Sequence, residues 1–252
     1  MPVKAVNLMP RKFSIKLFAD GADRDSIVNR YQDPLISGFT TNPTLMKKSG
    51  ITDYEKFAKD VLSVVKDKPI SFEVFSDELA EMREQALVIA SWGKNVNVKV
   101  PITNTRGDST APIIRDLSKS GVILNVTAMT TFEQVRLVAP ILADGAGGIC
   151  SVFAGRIADT GVDPLPIMQR CMDLIANLSG VELLWASPRE IFNLVQAEQI
   201  GCHIITLTED ILKKLPILDK PLEQMSLETV EMFYKDAQSS GFKIALPKAT
   251  HS

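Results

Sequence analysis

The chain has 252 residues, 45% of them hydrophobic and 23% charged, a balance that supplies a large core and excludes a disordered polyelectrolyte. Its net charge of -2, with no Lys/Arg stripe, gives no field for gathering nucleic acid, and no run of about 18 apolar residues marks a membrane span. Three cysteines, at 150, 171 and 202, fit no zinc or redox spacing, with only His203 and His251 to assist them, so no metal and no cofactor is implied. Met1 to Lys12 lacks the apolar run of an export signal, which predicts a cytoplasmic protein with reduced thiols.

Short β-rich runs recur at 14–20, 35–41, 69–75, 95–101, 121–127, 147–153, 181–187 and 202–207. Between them lie stretches with apolar residues three and four apart. Tyr54, Phe57, Ala58, Val61, Leu62 and Val65 follow a Thr52-Asp53 cap signal, and 77–92, 109–120, 131–144, 164–179, 188–199 and 209–215 repeat the pattern. Eight strands alternating with helices in a chain of this length predict an α/β fold, a single (β/α)8 TIM barrel over residues 13–215. A doubly wound open sheet is the alternative, but no Gly-x-Gly-x-x-Gly or Walker-type loop follows the first strand. No Pro/Gly/Ser-rich linker divides the chain. A last amphipathic segment, Leu222 to Gly241, exceeds what barrel closure needs. It predicts an additional C-terminal helix that packs across the barrel bottom or, by preference, docks on another subunit.

One residue breaks the pattern of the fourth strand, Val96-Asn97-Val98-Lys99-Val100-Pro101. Alternation puts the three valines on one face and Asn97 with Lys99 on the other. Burial disfavours the charged form of a lysine, and a neutral amine can attack a carbonyl to form a Schiff base. Taken alone, such a lysine more often snorkels to water from a strand end. Its company argues otherwise. In a TIM barrel the active site lies at the C-terminal ends of the strands, and here those ends carry Asp20, then Thr40, Thr41 and Asn42, then Glu73, Lys99, Asn125 with Thr127, Ser151 with Arg156, and Ser187 with Arg189. Each has an ordinary explanation as a cap or surface charge. Seven strands delivering polar groups to one rim suits carbonyl chemistry on a polar, anionic substrate.

These residues stand in motifs that resemble the transaldolases and their relatives, the fructose-6-phosphate aldolases. Phe18-Ala19-Asp20-Gly21-Ala22-Asp23 looks like that family's first strand, and Gly38-Phe39-Thr40-Thr41-Asn42-Pro43-Thr44-Leu45 like its Thr-Thr-Asn-Pro signature. Val98-Lys99-Val100-Pro101 is similar to the Schiff-base strand, and Asn125-Val126-Thr127, Ser151-Val152-Phe153-Ala154-Gly155-Arg156-Ile157 and Ala186-Ser187-Pro188-Arg189 follow in family order. The resemblance implies Lys99 as the imine-forming nucleophile and Asp20 as the base on the C4 hydroxyl of a ketose phosphate. Glu73 would move protons through a water held with Thr127. Asn42 and Asn125, with Ser151, would bind the dihydroxyacetone hydroxyls, Thr40 and Phe153 would line the substrate site, and Arg156, Arg189 and Ser187 would hold the phosphate.

Within the resemblance, the aldolase branch has glutamine where this chain has Glu73 and tyrosine where it has Phe153, so both positions favour transaldolase. Sugar phosphates are the implied partners, with no nucleic acid and no membrane. A large homo-oligomer is also implied, decamer-like in the small members. Two departures stand out. Thr103 to Thr110 is longer than the usual loop and could bring Arg106 to the distal end of the substrate or be a tolerated surface insertion, and Pro188 could shift the phosphate site. Two other readings stay open: an aldolase that releases free dihydroxyacetone or uses an unusual ketose, and a non-catalytic sugar-phosphate-binding barrel in which Lys99 only pairs with a carboxylate.

Overall fold

The computed structural model describes residues 12–245, so most of the Met1 to Lys12 segment, and His251, lie outside the described residues. Eight parallel strands, β1 (Lys16–Asp20), β2 (Ile36–Thr40), β3 (Ile70–Glu73), β4 (Val96–Pro101), β5 (Leu124–Met129), β6 (Gly148–Val152), β7 (Val181–Trp185) and β8 (Ile204–Thr208), pair in sequence order, and β8 closes on β1. The fold is a (β/α)8 TIM barrel. Most strand residues are buried on both faces, as expected where helices cover the outside and side chains fill the inside.

Six helices fall where the periodicity places them: α3 (Tyr54–Leu62), α4 (Leu79–Ala90), α5 (Ala111–Lys119), α6 (Phe132–Ala143), α8 (Leu165–Ile175) and α9 (Phe192–Gln199). Three short helices were not anticipated: α1 (Arg24–Tyr31), α2 (Pro43–Lys48) and α7 (Ala154–Asp159). The side chain of Asp23 caps α1, but Ile27 is its one buried residue, so no apolar stripe exists to be read. The other two are six residues each, too short to show a 3.6-residue period. The 209–215 stretch forms only a single turn, α10 (Glu209–Leu212). β5 begins later than expected because Gly121, at φ +87, reverses the chain after α5, with Val122 N–H donating to the Leu117 carbonyl at 3.0 Å.

Inside the barrel, Phe18, Ile149, Leu184, Ala186 and Ile204 form a buried cluster, with Phe153 packed against it. Phe18 pairs in register with Gly38 of β2, and a Cβ on Gly38 would come within 2.5 Å of the Phe18 ring, so the large residue requires the small one. This cluster is the floor beneath the rim.

The chain up to Lys214 is one compact unit, and a second begins at Leu215. The second contains a 3-10 turn, Leu215–Ile217, and α11 (Leu222–Ser239), and Lys220, between them, forms a 2.6 Å ion pair with Glu228 of α11. Leu222, Leu227, Val230, Phe233 and Tyr234 of α11 are exposed. No helix among the described residues is long and apolar enough to cross a membrane.

Candidate active site

Parallel pairing puts every C-terminal strand end on one rim, where a cavity of 410 Å³ opens. All twelve residues singled out above as catalytic or substrate-binding line it. Thr206, Leu184, Ala186 and Ala128 line it too.

Lys99 sits at its base. The β4 alternation turns Lys99 inward, and register places it between Glu73 of β3 and Asn125 of β5. The residue is only 6% exposed, which rules out snorkelling to water. Its Nζ donates to the Thr41 carbonyl at 2.8 Å and pairs with Glu73 Oε2 at 3.1 Å. A carbonyl and a carboxylate thus offset the desolvation of the ammonium group. Glu73 is held from behind by Tyr54 of α3, whose hydroxyl accepts from the Glu73 N–H at 2.7 Å and donates to the Glu73 carbonyl at 3.0 Å. Phe72, Phe75 and Trp92 pack around the Tyr54 ring, and burial pushes its phenol far above the usual range. Sequence periodicity reads Tyr54 only as a helix-face residue, because the partner that makes it polar comes from another element.

Asp20 ends β1. Thr40 Oγ1 donates to its Oδ1 at 2.8 Å, and Asn42 Nδ2 lies 3.5 Å from Oδ2. Burial lifts the Asp20 carboxyl above the ordinary aspartate value; Lys99, Thr40 and Asn42 oppose the rise without cancelling it, and Glu73 adds to it. Asn42 also caps α2, its Oδ1 accepting from Leu45 N–H at 2.9 Å. That cap fixes the amide so that Nδ2 points into the cavity. Across the cavity, Asn125 accepts from Ser151 Oγ at 2.6 Å and donates to Ser71 Oγ at 3.0 Å, a buried arrangement of which Asn125 and Ser151 line the cavity. Thr127 Oγ1 is buried and has no hydrogen-bond partner among the described residues, although a buried hydroxyl ordinarily finds one.

The remaining polar groups form a cationic end. Arg156 of α7 lies over the Phe153 ring, 5.7 Å from its centroid. Arg189 follows β7 and pairs side-on with Asp159, Nε to Oδ1 at 2.9 Å and Nη2 to Oδ2. That contact lowers the Asp159 carboxyl below its usual range and raises the Arg189 guanidinium. Ser187 takes φ +57, and its carbonyl lies so close to α7 that a Cβ on Gly155 would meet it at 1.6 Å. Pro188 leaves both Ser187 and Arg189 on the cavity wall. The Thr103–Thr110 loop does not reach the cavity. Arg106 is instead held by Asp77, Glu78 and Asp108, at 3.3, 2.8 and 3.3 Å, the arrangement of a surface insertion, the second of the two readings of this loop.

Cys150, Cys171 and Cys202 are free and buried, and burial pushes the thiols of the last two up to about 12. No group of three or more His, Cys, Asp or Glu side chains suited to a metal occurs among the described residues.

Fold and site together define a TIM barrel with a buried, carboxylate-paired lysine and two arginines on its C-terminal rim. The sequence pattern described as Transaldolase/Fructose-6-phosphate aldolase matches residues 17–244, and the chain belongs to that family. It is 33% identical over 213 residues to "Probable transaldolase 2" of Listeria monocytogenes, spanning 83% of this chain and 93% of that one. It is 33% identical over 232 residues to "Probable transaldolase" of Thermoanaerobacter sp., spanning 91% and 100%. A solved structure from Burkholderia cenocepacia superposes with a TM-score of 0.54 at 10% identity, covering 95% of this chain and 90% of that one, a likeness of fold alone.

Proposed function

We propose that this protein is a transaldolase that moves a dihydroxyacetone unit between sugar phosphates through an imine on Lys99. The observation that carries the reading is the buried Lys99 ammonium, 3.1 Å from Glu73 at the base of a polar cavity. One proton passing from Nζ to Glu73 leaves a neutral amine, which attacks the C2 carbonyl of a ketose phosphate such as fructose 6-phosphate. Water leaves the carbinolamine, and Glu73 returns its proton through a water at the unpartnered Thr127 hydroxyl. Asp20 takes the proton of the C4 hydroxyl. As the C4 carbonyl forms, the C3–C4 bond breaks and its electron pair passes into the iminium, leaving an enamine on Lys99 and freeing glyceraldehyde 3-phosphate. The enamine then attacks an acceptor aldehyde such as erythrose 4-phosphate, the protons run back, and water releases the product from Lys99.

Asn42 Nδ2 and the Asn125–Ser151 pair meet the hydroxyls of the three-carbon unit, with Thr40 and Phe153 on the wall. The planar forks of Arg156 and Arg189, with Ser187, hold the phosphate. Transfer is favoured over release of free dihydroxyacetone because Phe153 has no hydroxyl to steer water onto the enamine. The reading extends to a homo-oligomer built through the exposed apolar residues of α11. The free cysteines suit a reducing, cytoplasmic setting.

Borohydride reduction in the presence of fructose 6-phosphate tests the mechanism: a three-carbon adduct is expected on the Lys99 peptide. No adduct, or one on another lysine, would overturn it. Without acceptor, glyceraldehyde 3-phosphate release should stop near one turnover per site and resume with erythrose 4-phosphate. Continuous acceptor-free cleavage would replace transaldolase with aldolase. Light scattering that shows a monomer at micromolar concentration would remove the assembly part.

A further inference from the structure

Behind Asp20 stands a pair of threonines, Thr40 and Thr206, the second of which has no part in the proposed mechanism. Thr40 Oγ1, from β2, donates to Asp20 and lies 2.5 Å from Thr206 Oγ1, from β8. The two threonines are 3% and 5% exposed. We propose that Thr206 is a positioning residue, which acts through Thr40 to aim the Thr40 hydroxyl proton at Asp20. The role rests on Asp20 being the base.

Proton bookkeeping fixes the direction. A hydroxyl carries one proton, and an ionised carboxylate only accepts. With Asp20 ionised, the Thr40 proton is committed to Asp20, so the proton between the two threonines belongs to Thr206. The chain therefore runs Thr206 to Thr40 to Asp20. Each bond polarises the next, and Thr206 keeps the Thr40 rotor from turning away. Once Asp20 has taken a substrate proton, its Oδ1 can still accept from Thr40, but the bond loses the assistance of the full negative charge. The relay therefore favours the ionised carboxylate over the neutral acid.

The other groups facing Asp20 act differently. Lys99 on β4 and Glu73 on β3 act on it through charge, with opposite signs, and the Asn42 amide after β2 is a weak donor at 3.5 Å. Among these groups, only the β2–β8 threonine pair brings Asp20 a short hydrogen bond backed by a second hydroxyl.

The test is Thr206→Val, which keeps the shape and removes the hydroxyl, beside Thr206→Ser, which keeps the hydroxyl. Thr206→Ala replaces the valine variant if that folds poorly. The Asp20 carboxyl is titrated directly by carbon NMR of protein labelled at aspartate, its signal assigned by its loss in Asp20→Asn. The midpoint should rise by about half a pH unit in Thr206→Val, as support for the ionised form weakens, and should match the unaltered protein in Thr206→Ser. The acid limb of kcat/KM should move the same way, with the yield of borohydride adduct on Lys99 unchanged. An unaltered titration in Thr206→Val and Thr206→Ala, or a serine variant that behaves like valine, would overturn the proposal. Failure of the unaltered protein to form the Lys99 adduct would instead overturn the reaction itself, while the titration still reports on the threonine pair.

Discussion

Removing one oxygen from Tyr54 should loosen the site without touching the cavity wall. The Tyr54 hydroxyl makes two hydrogen bonds to the backbone of Glu73, at 2.7 and 3.0 Å. On its β2 side β3 pairs only at Phe39 with Ile70 and Thr40 with Ser71, so the Glu73 end is held by β4 through Lys99 and, on the other side, by Tyr54. Tyr54→Phe keeps the ring against Phe72, Phe75 and Trp92 but leaves the Glu73 N–H without its acceptor. An unsatisfied group of this kind costs about 1–3 kcal/mol. For a domain of this size that corresponds to a fall in Tm of about 2–12 °C. Calorimetry of the two proteins measures it. On the proposed mechanism Glu73 moves protons and does not hold the sugar, so a steady-state assay with fructose 6-phosphate should show kcat falling more than KM rises. A Tm within a degree of the unaltered protein, or a loss confined to KM, would refute this account of how Glu73 is held.

Two further predictions concern charge. Burial raises the folded-state value of Asp20 above its unfolded one, so ionising Asp20 opposes folding; the cost is absent below the unfolded value near 3.8, grows as pH rises through the folded value and is complete above it. Asp20→Asn should therefore abolish turnover yet raise Tm at neutral pH, with the gain shrinking as pH falls toward 4, as thermal melts across that range would show. Arg189→Lys should raise KM for fructose 6-phosphate by about 10- to 150-fold, the equivalent of one lost hydrogen bond to a charged group, because an ammonium cannot pair side-on with Asp159 and still present a fork to phosphate. Kinetics with unphosphorylated fructose should show little change in KM, and an equal rise for both sugars would sink the phosphate assignment.

Much of the fold was legible along the chain because a parallel barrel repeats one unit: a short β-rich run, then a helix with a 3.6-residue period. What escaped was short or weakly amphipathic, as with α1, α2 and α7, where too few residues are buried to leave a pattern. The Thr103–Thr110 loop shows the opposite limit. Its length and its arginine were visible, but only the fold shows that Asp77 and Glu78 hold Arg106 away from the cavity.

For the site, alternation along β4 was enough to turn Lys99 to the face opposite the valines, and the order of polar strand ends was enough to propose its companions. Both are local properties, fixed by the two-residue period of a strand. The chain alone could not show that Thr206 meets Thr40 from 166 positions away, that Tyr54 closes on Glu73, or that Asp159 occupies one edge of Arg189. Those contacts exist only because β8 closes on β1 and because helices pack on the outside of the sheet. Sequence period decides which way a side chain points; closure of the barrel decides what it meets there.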